Sequence, residues 1–595
     1  MRAVISIRDS LRSPLLNHRR PHPPARHPLP SKRPSPLPLV KLRDRPRRAA
    51  LASTLDTPMS SPDSPQHTPP PRPRIAPSFF VIPQIRGRWA PAIRAALAFG
   101  LPAATLYLIG FDRDALLAAL GGFAVLYGEK RPYRVRWRAI ATAAAVLVAV
   151  AAAYGWLGEW ADNLGGFGPN LVVVAALVVG AGAAVFGLNA MRLGPPGPFF
   201  FVLTAGICTV VVRHGVAPTT LVVATAAGAA GALIVGMAPA LWRPHGPEAA
   251  ATAAAMAAVD NYLAGNRSAD PGRRHGAAMS TLHAWGTLHD AAGIDTELAQ
   301  QLWESQHRLH GARPGPFAPP LGRPGVLRRL RLAARPHSHA TVTTVRVMLT
   351  AGVAGVVSLA VGLSRPDWAI LGTVLILQLG PDRIRGVMRG AHRMAGTILG
   401  LGVYALIHLV DLTVPALILV IAVLNLLIEL TIVDNYSVAV TFITPLAMLM
   451  GNAESDITVA MRDRLLETVL GAVLAIAALW WLLPHAHRRT WRRATDDVLD
   501  ETGITLDRGE RTGAASTDTL PARLDLQWSL LEAEMAATDS ATDEPRWAHQ
   551  RWPRHLTICQ IGYDTLTACW QTDPGDPLDP AVRRDLERRR EEAAE

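Results

Sequence analysis

Long apolar runs recur along this sequence, and they constrain its fold more than any other feature. The runs at 171–186, 221–241, 414–430 and 469–483 approach or exceed the length that crosses a bilayer at about 1.5 Å per helical residue. Hydrophobic residues make up 49% of the 595 residues, and the mean hydropathy is +0.19. This composition is too apolar for an ordinary soluble multidomain enzyme, so the sequence predicts an all-α polytopic membrane protein.

The apolar runs divide into twelve predicted spanning segments. Basic clusters flank them on one side if the N-terminus is cytoplasmic, so both termini are predicted to be cytoplasmic and the chain to lie in the cell (inner) membrane. Arg213 and Arg462 are exceptions to this pattern. The predicted segments are 91–110, 114–128, 139–158, 169–189, 198–213, 218–242, 343–362, 367–380, 394–411, 413–433, 435–451 and 464–483.

Composition changes along the chain predict five regions. A Pro- and Arg-rich head is predicted to be disordered, because it has too little apolar surface to offset the entropy of ordering. Met59 is an alternative start to Met1. The regions are the head at 1–78, a first transmembrane cassette at 79–242, a cytoplasmic helical region at 243–340, a second cassette at 341–483 and a cytoplasmic helical tail at 484–595.

The order of elements repeats within the chain, which predicts an internal duplication. In residues 111–146 and again in 364–400, a short apolar segment is followed by a basic turn and then by an apolar segment rich in small residues. Such duplications commonly place a substrate pathway where the halves meet. An offset of 252 pairs Arg94 with Arg346 and Gly128 with Gly380, and an offset of 255 pairs Arg138 with Arg393 and Thr142 with Thr397.

Two rows of basic residues follow the short apolar segments. The residues of a row are four apart, so on a helix they would stack along one face. One interpretation is that these charges only fix the orientation of the chain in the membrane. The other is that they line a cytoplasmic entrance and attract an anion, because guanidinium pairs well with carboxylate. The rows are Lys130, Arg134 and Arg138 in the first half and Arg385, Arg389 and Arg393 in the second.

Two apolar segments are too short to span a bilayer as ideal helices. Residues 115–127 and 368–379 would each form about 20 Å of helix, against about 30 Å of hydrocarbon. Short segments at matching positions of two halves point to a central binding site in transporters, with Thr373 and Gln378 as polar lining. The alternative is that neighbouring helices simply bury their polar flanks, with Asp367 and Trp368 as an interfacial anchor.

Glu429 lies inside an apolar segment, where an ionisable side chain is costly and is by default a functional candidate. Its position near the predicted cytoplasmic end leaves a second interpretation open, in which the carboxylate is interfacial and solvated.

Several function classes are excluded by the motifs. The net charge of +13 resides in the flanks of apolar segments and in the head, so no basic groove for nucleic acid is expected. The three cysteines, Cys208, Cys559 and Cys569, have no metal or disulfide spacing. Phosphate-loop, HExxH and GxSxG motifs are absent, so neither an enzyme, a cofactor nor a metal is predicted.

The second half contains three distinctive motifs, RPDWAILGTVLILQ, GPDRIRGVMRGAHRMAGTILG and DNYSVAVTFITPLAML. They resemble the FUSC family, the fusaric acid resistance type and aromatic acid exporter type inner membrane proteins. The resemblance covers about 343–483. It is weaker over 91–242, where the Trp position is Leu116 and the RxxGT element reads Arg138-Ala-Ile-Ala-Thr142. It implies efflux of aromatic or other organic acids, driven by the proton gradient.

The leading hypothesis is therefore a secondary transporter that exports small organic anions from the cell. Its expected partners are the lipid bilayer and the anion, with a homo-oligomer left open. The alternatives are a passive anion channel and a membrane scaffold that transports nothing.

Overall fold

All secondary structure in the described part of the chain is helical, which confirms the predicted all-α class. The computed structural model describes residues 68–83, 87–194, 196–265, 270–313, 315, 317–336, 338–378, 380, 382–451, 456–573 and 575–595. Most of the predicted disordered head lies outside these residues.

The first half begins with a short helix and continues with mainly apolar helices. A run of short helical turns, at 112–117 and 123–126, flanks the brief α3. The helices are α1 (Ile75–Phe79), α2 (Trp89–Leu108), α3 (Ala118–Gly122), α4 (Tyr133–Leu164), α5 (Phe167–Met191), α6 (Phe199–Val211) and α7 (Pro218–Met237).

The second half contains six helices, with the short one again in second place. They are α12 (His339–Ala360), α13 (Pro366–Leu377), α14 (Arg383–His408), α15 (Val414–Thr431), α16 (Tyr436–Gly451) and α17 (Ile457–Trp481).

Polar and amphipathic helices follow each half, as the sequence predicts. The insert contains α8 (Gly246–Ala264), α9 (Pro271–Ala291), α10 (Glu297–His310) and α11 (Val326–Ala333). The tail contains α18 (Ala486–Thr512), α19 (Leu520–Asp543), α20 (Pro545–Gln571) and α21 (Pro580–Ala594).

Seven of the described helices are long and apolar enough to cross a membrane, namely α2, α4, α5, α12, α15, α17 and α7 with its extension to Leu241. Three shorter apolar helices, α6, α13 and α16, accompany them. Every predicted spanning segment coincides with helical structure, although the segment at 114–128 is not one continuous α-helix. The chain is therefore a multi-pass membrane protein.

Three helices begin earlier than the apolar pattern predicts. The basic residues expected in turns belong to the first turns of α4 and α14, which start at Tyr133 and Arg383. The Asp382 side chain caps α14 by accepting a hydrogen bond from the Arg385 backbone N–H at 2.9 Å. Likewise, α17 starts at Ile457, where Asp456 caps it, so its charged residues lie inside the helix.

Close backbone contact explains why the segment around α3 is irregular. A Cβ on Gly121 would lie 1.8 Å from the Thr225 carbonyl oxygen, and a Cβ on Gly228 would lie 1.8 Å from the Ala118 carbonyl oxygen. Only glycine permits this approach, so α3 and α7 touch backbone to backbone. The short segment is therefore buried against neighbouring helices.

Each half packs its first long apolar helix against the other half: α2 packs on α15, and α12 packs on α5. Such reciprocal packing is expected of two duplicated halves. The duplication itself remains a prediction. The proposed register is a poor match in burial, because Arg138 and Thr142 are exposed whereas Arg393 and Thr397 are buried. An offset of 253 instead places Ile140, Ala144 and Leu147 on Arg393, Thr397 and Gly400, all of them buried.

The end of the predicted head packs onto the tail and the second half. Arg72 Nε donates to the Thr542 carbonyl oxygen at 2.9 Å, and the Ser78 hydroxyl lies 2.8 Å from Nε2 of His392. Asn435 Nδ2 donates to the carbonyl oxygens of Phe79 and Val81. The boundary predicted at residue 78 therefore falls within a packed segment.

Candidate functional site

The first predicted basic row does not form a single helical face. Lys130 precedes α4, so it lies off the helix that contains Arg134 and Arg138, and all three side chains are exposed. The buried arginine of this region is Arg136, whose Nη1 donates to the Glu129 carbonyl oxygen at 3.3 Å. The sequence-based interpretation of this row as one stacked face is wrong for Lys130, because Pro132 delays the start of the helix.

The second row does lie on one helix, but its three arginines have different environments. Arg385 is exposed and pairs with Asp539 at 2.9 Å and with Asp382 at 3.2 Å. Arg389 Nη1 donates to the Ile376 carbonyl oxygen at 2.8 Å. Arg393 is 1% exposed, and its Nε and Nη2 have no hydrogen-bond partner among the described residues. The row thus runs from the helix end into the protein interior.

The polar residues of the short α13 segment are buried. The Thr373 hydroxyl donates to the Ile370 carbonyl oxygen at 2.7 Å, so its hydrogen-bonding need is met within the helix. Gln378 follows α13, and its Oε1 is buried without a partner among the described residues. Its backbone oxygen accepts from Asn189 Nδ2 of α5 at 3.3 Å. Gln378 therefore lies where the two halves meet, and Thr373 packs in the core.

Glu429 is not a solvated interfacial carboxylate. Its side chain is buried near the end of α15 and accepts a hydrogen bond from Arg88 Nη2 at 3.0 Å. Arg88 also lies 3.8 Å from Glu129, which in turn lies 3.5 Å from Arg94. This ion-pair network joins the start of α2 to the second half, so Glu429 has a structural partner.

The structure brings together a second group of charged residues that the sequence interpretation missed. Arg365, just before α13, donates to both carboxylate oxygens of Asp367 at 3.0 Å and to the Gly451 carbonyl oxygen at 3.0 Å. Asp367 is 6% exposed and packs beside Gly206 of α6, so it is not an interfacial anchor. A Cβ on Gly206 would lie 2.7 Å from Asp367 Oδ2.

Two guanidinium groups lie over the indole of Trp368. The central carbon of Arg464 lies 3.6 Å from the Trp368 ring centroid, and that of Arg365 lies 4.9 Å from it. Trp368 and Arg464 are 3% and 2% exposed. The electrons of the indole face attract both cations, and the attraction is larger where water is excluded.

Arg393 and Arg464 are the unusual cations of this group. Nε and Nη1 of Arg464, like Nε and Nη2 of Arg393, have no hydrogen-bond partner among the described residues. Across the described residues, no carboxylate lies within 4.0 Å of either guanidinium. A buried cation without a close counterion is costly, so this pair of guanidiniums favours an anion beside it.

Glu467 completes the group on the same face of α17 as Arg464. It is fully buried, and its Oε1 accepts from the Arg365 backbone N–H at 2.9 Å and from the Ser358 hydroxyl at 3.4 Å. Its Oε2 has no partner within the described chain. Arg365, Asp367, Trp368, Arg393, Arg464 and Glu467 are named the buried charge cluster below.

Two residues of the cluster lie well inside their helices. Arg393 is ten residues from the start of α14, and Glu467 is ten residues from the start of α17. Each position is about 15 Å along its helix at about 1.5 Å per residue. Ionisable residues within an apolar segment are a detectable signal, but the predicted segment began at 464 and so placed Arg464 at its edge.

A separate cluster in the tail has metal-ligand chemistry. Glu534, His555 and Cys559 offer ligand atoms within 4.8 Å of one another. Their polar atoms are already satisfied, because the indole N–H of Trp491 lies 3.3 Å from Nδ1 of His555, and Nε2 lies 3.0 Å from Glu534. An indole nitrogen only donates, so Nδ1 accepts and Nε2 donates to the carboxylate. The cysteine spacing alone gave no sign of this group.

The helices and the buried charge cluster define the class: a multi-pass α-helical membrane protein with ionisable residues inside its spanning region. Residues 353–478, within the second transmembrane half, match the family described as fusaric acid resistance protein-like, which agrees with the resemblance of the sequence motifs. The uncharacterised membrane protein YvaC of Bacillus subtilis (strain 168) is 23% identical over 568 residues, which cover 82% of this chain and 87% of that protein. No solved structure matches.

Proposed function

We propose that this protein is a membrane transporter that moves small organic or aromatic acids out of the cell as their anions. The observation that supports this function best is the pair of buried guanidiniums with unpartnered N–H groups, Arg393 and Arg464, of which Arg464 lies over the indole of Trp368. Guanidinium N–H groups bind carboxylate well, and an indole face suits an aromatic ring.

The cluster lies at a suitable place for a pathway. Asp367 packs beside Gly206 of α6 in the first half, whereas Arg365 donates to Gly451 at the end of α16 in the second. A site where two halves of a transporter meet is accessible from either side when one half moves against the other. We assign other roles to the exposed arginines Arg134, Arg138 and Arg385. They fix the orientation of the chain in the membrane, and the last of them also contacts the tail.

The test is benzoate efflux from proteoliposomes that contain the full chain. Arg393→Gln and Arg464→Gln should each reduce the initial rate at least tenfold, because each removes charge and N–H donors from the site. The matched control is Arg138→Gln, which removes an exposed arginine and should leave the rate within twofold of wild type. Equal rates in all four proteins, with equal amounts inserted, would contradict this function.

The same vesicles distinguish the alternative mechanisms. A secondary transporter should exchange labelled benzoate for an excess of unlabelled benzoate and so accumulate label transiently, whereas a channel should only follow the electrochemical gradient. A scaffold should move nothing. Proton coupling belongs to the proposal, because Glu467 supplies a protonatable group beside Arg464.

A further inference from the structure

We propose that Glu467 is the proton site of this transporter and that it takes up a proton when an organic anion binds to Arg393 and Arg464. This inference rests on the proposed function, since it needs an anion in the buried charge cluster. It adds the identity of the protonated residue and the direction in which proton and anion binding influence each other.

The first step is the environment of the Glu467 carboxyl group. Oε1 has two donors, the Arg365 backbone N–H at 2.9 Å and the Ser358 hydroxyl at 3.4 Å, whereas buried Oε2 has none within the described chain. A carboxylate distributes its negative charge over both oxygens, so burying it with one oxygen unpartnered costs free energy. Burying the neutral, protonated carboxyl group costs much less. Oε2 is therefore the atom on which a proton would reside.

The second step is the set of charges around this carboxyl group. Of the helices packed against α17, α13 presents Asp367, α14 presents Arg393 and α12 presents the neutral Ser358. Arg464 and Asp463 lie on α17 itself, and Arg365 precedes α13. The Arg365 guanidinium is paired with Asp367, and Asp463 is paired with exposed Arg462 at 2.8 Å. The positive charges that act on Glu467 are therefore Arg365, whose charge is offset by Asp367, and Arg464, beside which Arg393 lies.

The third step is electrostatic linkage. In the empty site, the Arg464 guanidinium stabilises the Glu467 carboxylate, although it does not contact it within 4.0 Å. A bound anion neutralises part of that positive field, so the carboxylate is less stable and the proton binds more tightly. Linkage is reciprocal, hence a lower pH must strengthen anion binding by the same factor.

This direction has a consequence for transport. An anion and a proton that bind together cross the membrane as an electroneutral pair, so the membrane potential does not act on the loaded form. Exchange of an incoming proton for an outgoing anion, by which an inward proton gradient could drive efflux, requires competition between the two and is the opposite linkage. With joint binding, the outward gradient of the acid itself drives efflux. The first half supplies no equivalent acid on its last transmembrane helix, because α7 contains no charged residue.

The experiment uses the purified full chain and benzoate as the probe. In weakly buffered solution with a pH indicator, wild-type protein should take up as much as one proton for each benzoate bound. The benzoate Kd should rise by as much as tenfold per pH unit where Glu467 titrates. Glu467→Gln, which mimics the neutral acid, should bind benzoate with no proton uptake and with a Kd independent of pH.

The matched control is Glu429→Gln, which neutralises the other carboxylate in an apolar helix and should keep the wild-type proton uptake. Benzoate binding to wild type without proton uptake, or unchanged uptake in Glu467→Gln, would overturn the assignment of Glu467 while leaving the transport function intact. The wild-type measurement is decisive even if a variant folds poorly. If wild-type protein fails to bind benzoate at any pH, both the transport function and this assignment are overturned.

Discussion

The guanidinium of Arg464 stacks on the indole of Trp368, with 3.6 Å between its central carbon and the ring centroid. The two residues lie on α17 and α13, so this contact joins the short helix of the second half to its last spanning helix. It also holds the Arg464 side chain in the buried charge cluster.

Replacing Trp368 should therefore affect both stability and transport. Trp368→Leu removes the aromatic face that two buried cations share, and it should lower the free energy of unfolding by about 1–3 kcal/mol. Benzoate efflux should fall as well, because Arg464 loses its support, whereas Trp368→Phe should be milder. Thermal unfolding in detergent and proteoliposome efflux measure the two effects. Trp137→Leu, at an exposed tryptophan beside Arg138, is the control, and equal stability losses would argue against the stacking.

The contact between α13 and α17 also depends on a glycine. A Cβ on Gly471 would lie 2.7 Å from the Ala369 carbonyl oxygen and 3.2 Å from the Gly372 Cα. Gly471→Ala should therefore lower the free energy of unfolding by about 1–3 kcal/mol, because the helices must separate. Gly352→Ala, on α12 with open space around the new methyl group, should be neutral or slightly stabilising. Thermal unfolding of both variants decides the matter, and an equally stable Gly471→Ala would refute the close packing.

The junction between the tail and α14 should be sensitive to pH. Burial of its carboxyl group is the main reason why the pKa of Asp543 is raised to about 8. The negative charge of Asp382 and a hydrogen bond with Asp382 raise it further. Its Oδ1 accepts from the Arg383 N–H at 2.7 Å, at the first turn of α14. An acid with a raised folded-state pKa stabilises the fold at low pH, and this contribution is lost as the pH rises from its unfolded value towards about 8.

The prediction is that wild-type stability falls between pH 6 and pH 8 by at most about 1.4 kcal/mol per unit from this group. Asp543→Asn keeps an acceptor for the α14 backbone and should flatten that dependence. Thermal unfolding across this range is the measurement, with Asp518→Asn, at an exposed tail residue, as the control. The same slope in Asp543→Asn as in wild type would show that another group controls it.

The orientation of the chain is predicted from its basic clusters. Both termini and the insert at 243–340 should face the cytoplasm. Reporter fusions after Leu241 and after Leu483 should give cytoplasmic signals, with a fusion after Gly165, between α4 and α5, as the oppositely placed control. A signal from the outer side at either of the first two positions would contradict the arrangement of twelve spans.

The sequence by itself determined the helical membrane class, because the length of an apolar run can be compared directly with the thickness of a bilayer. It also predicted that α13 is short, although not that α6 and α16 are, and three local motifs indicated the family that residues 353–478 match. It indicated Arg393, Thr373 and Gln378, although not their separate environments. Helix starts at Arg383 and Ile457 were missed, because capping by Asp382 and Asp456 extends each helix into polar sequence that hydropathy excludes.

Only the tertiary structure decided which charges are paired. Arg389 and Arg393 are one helical turn apart and look alike in sequence, yet one donates to a carbonyl oxygen and the other has unpartnered N–H groups. Arg365 and Arg464 are about a hundred residues apart, and they meet across Trp368 only because α13 packs on α17. Burial and ion pairing depend on such distant neighbours, so local spacing does not specify them.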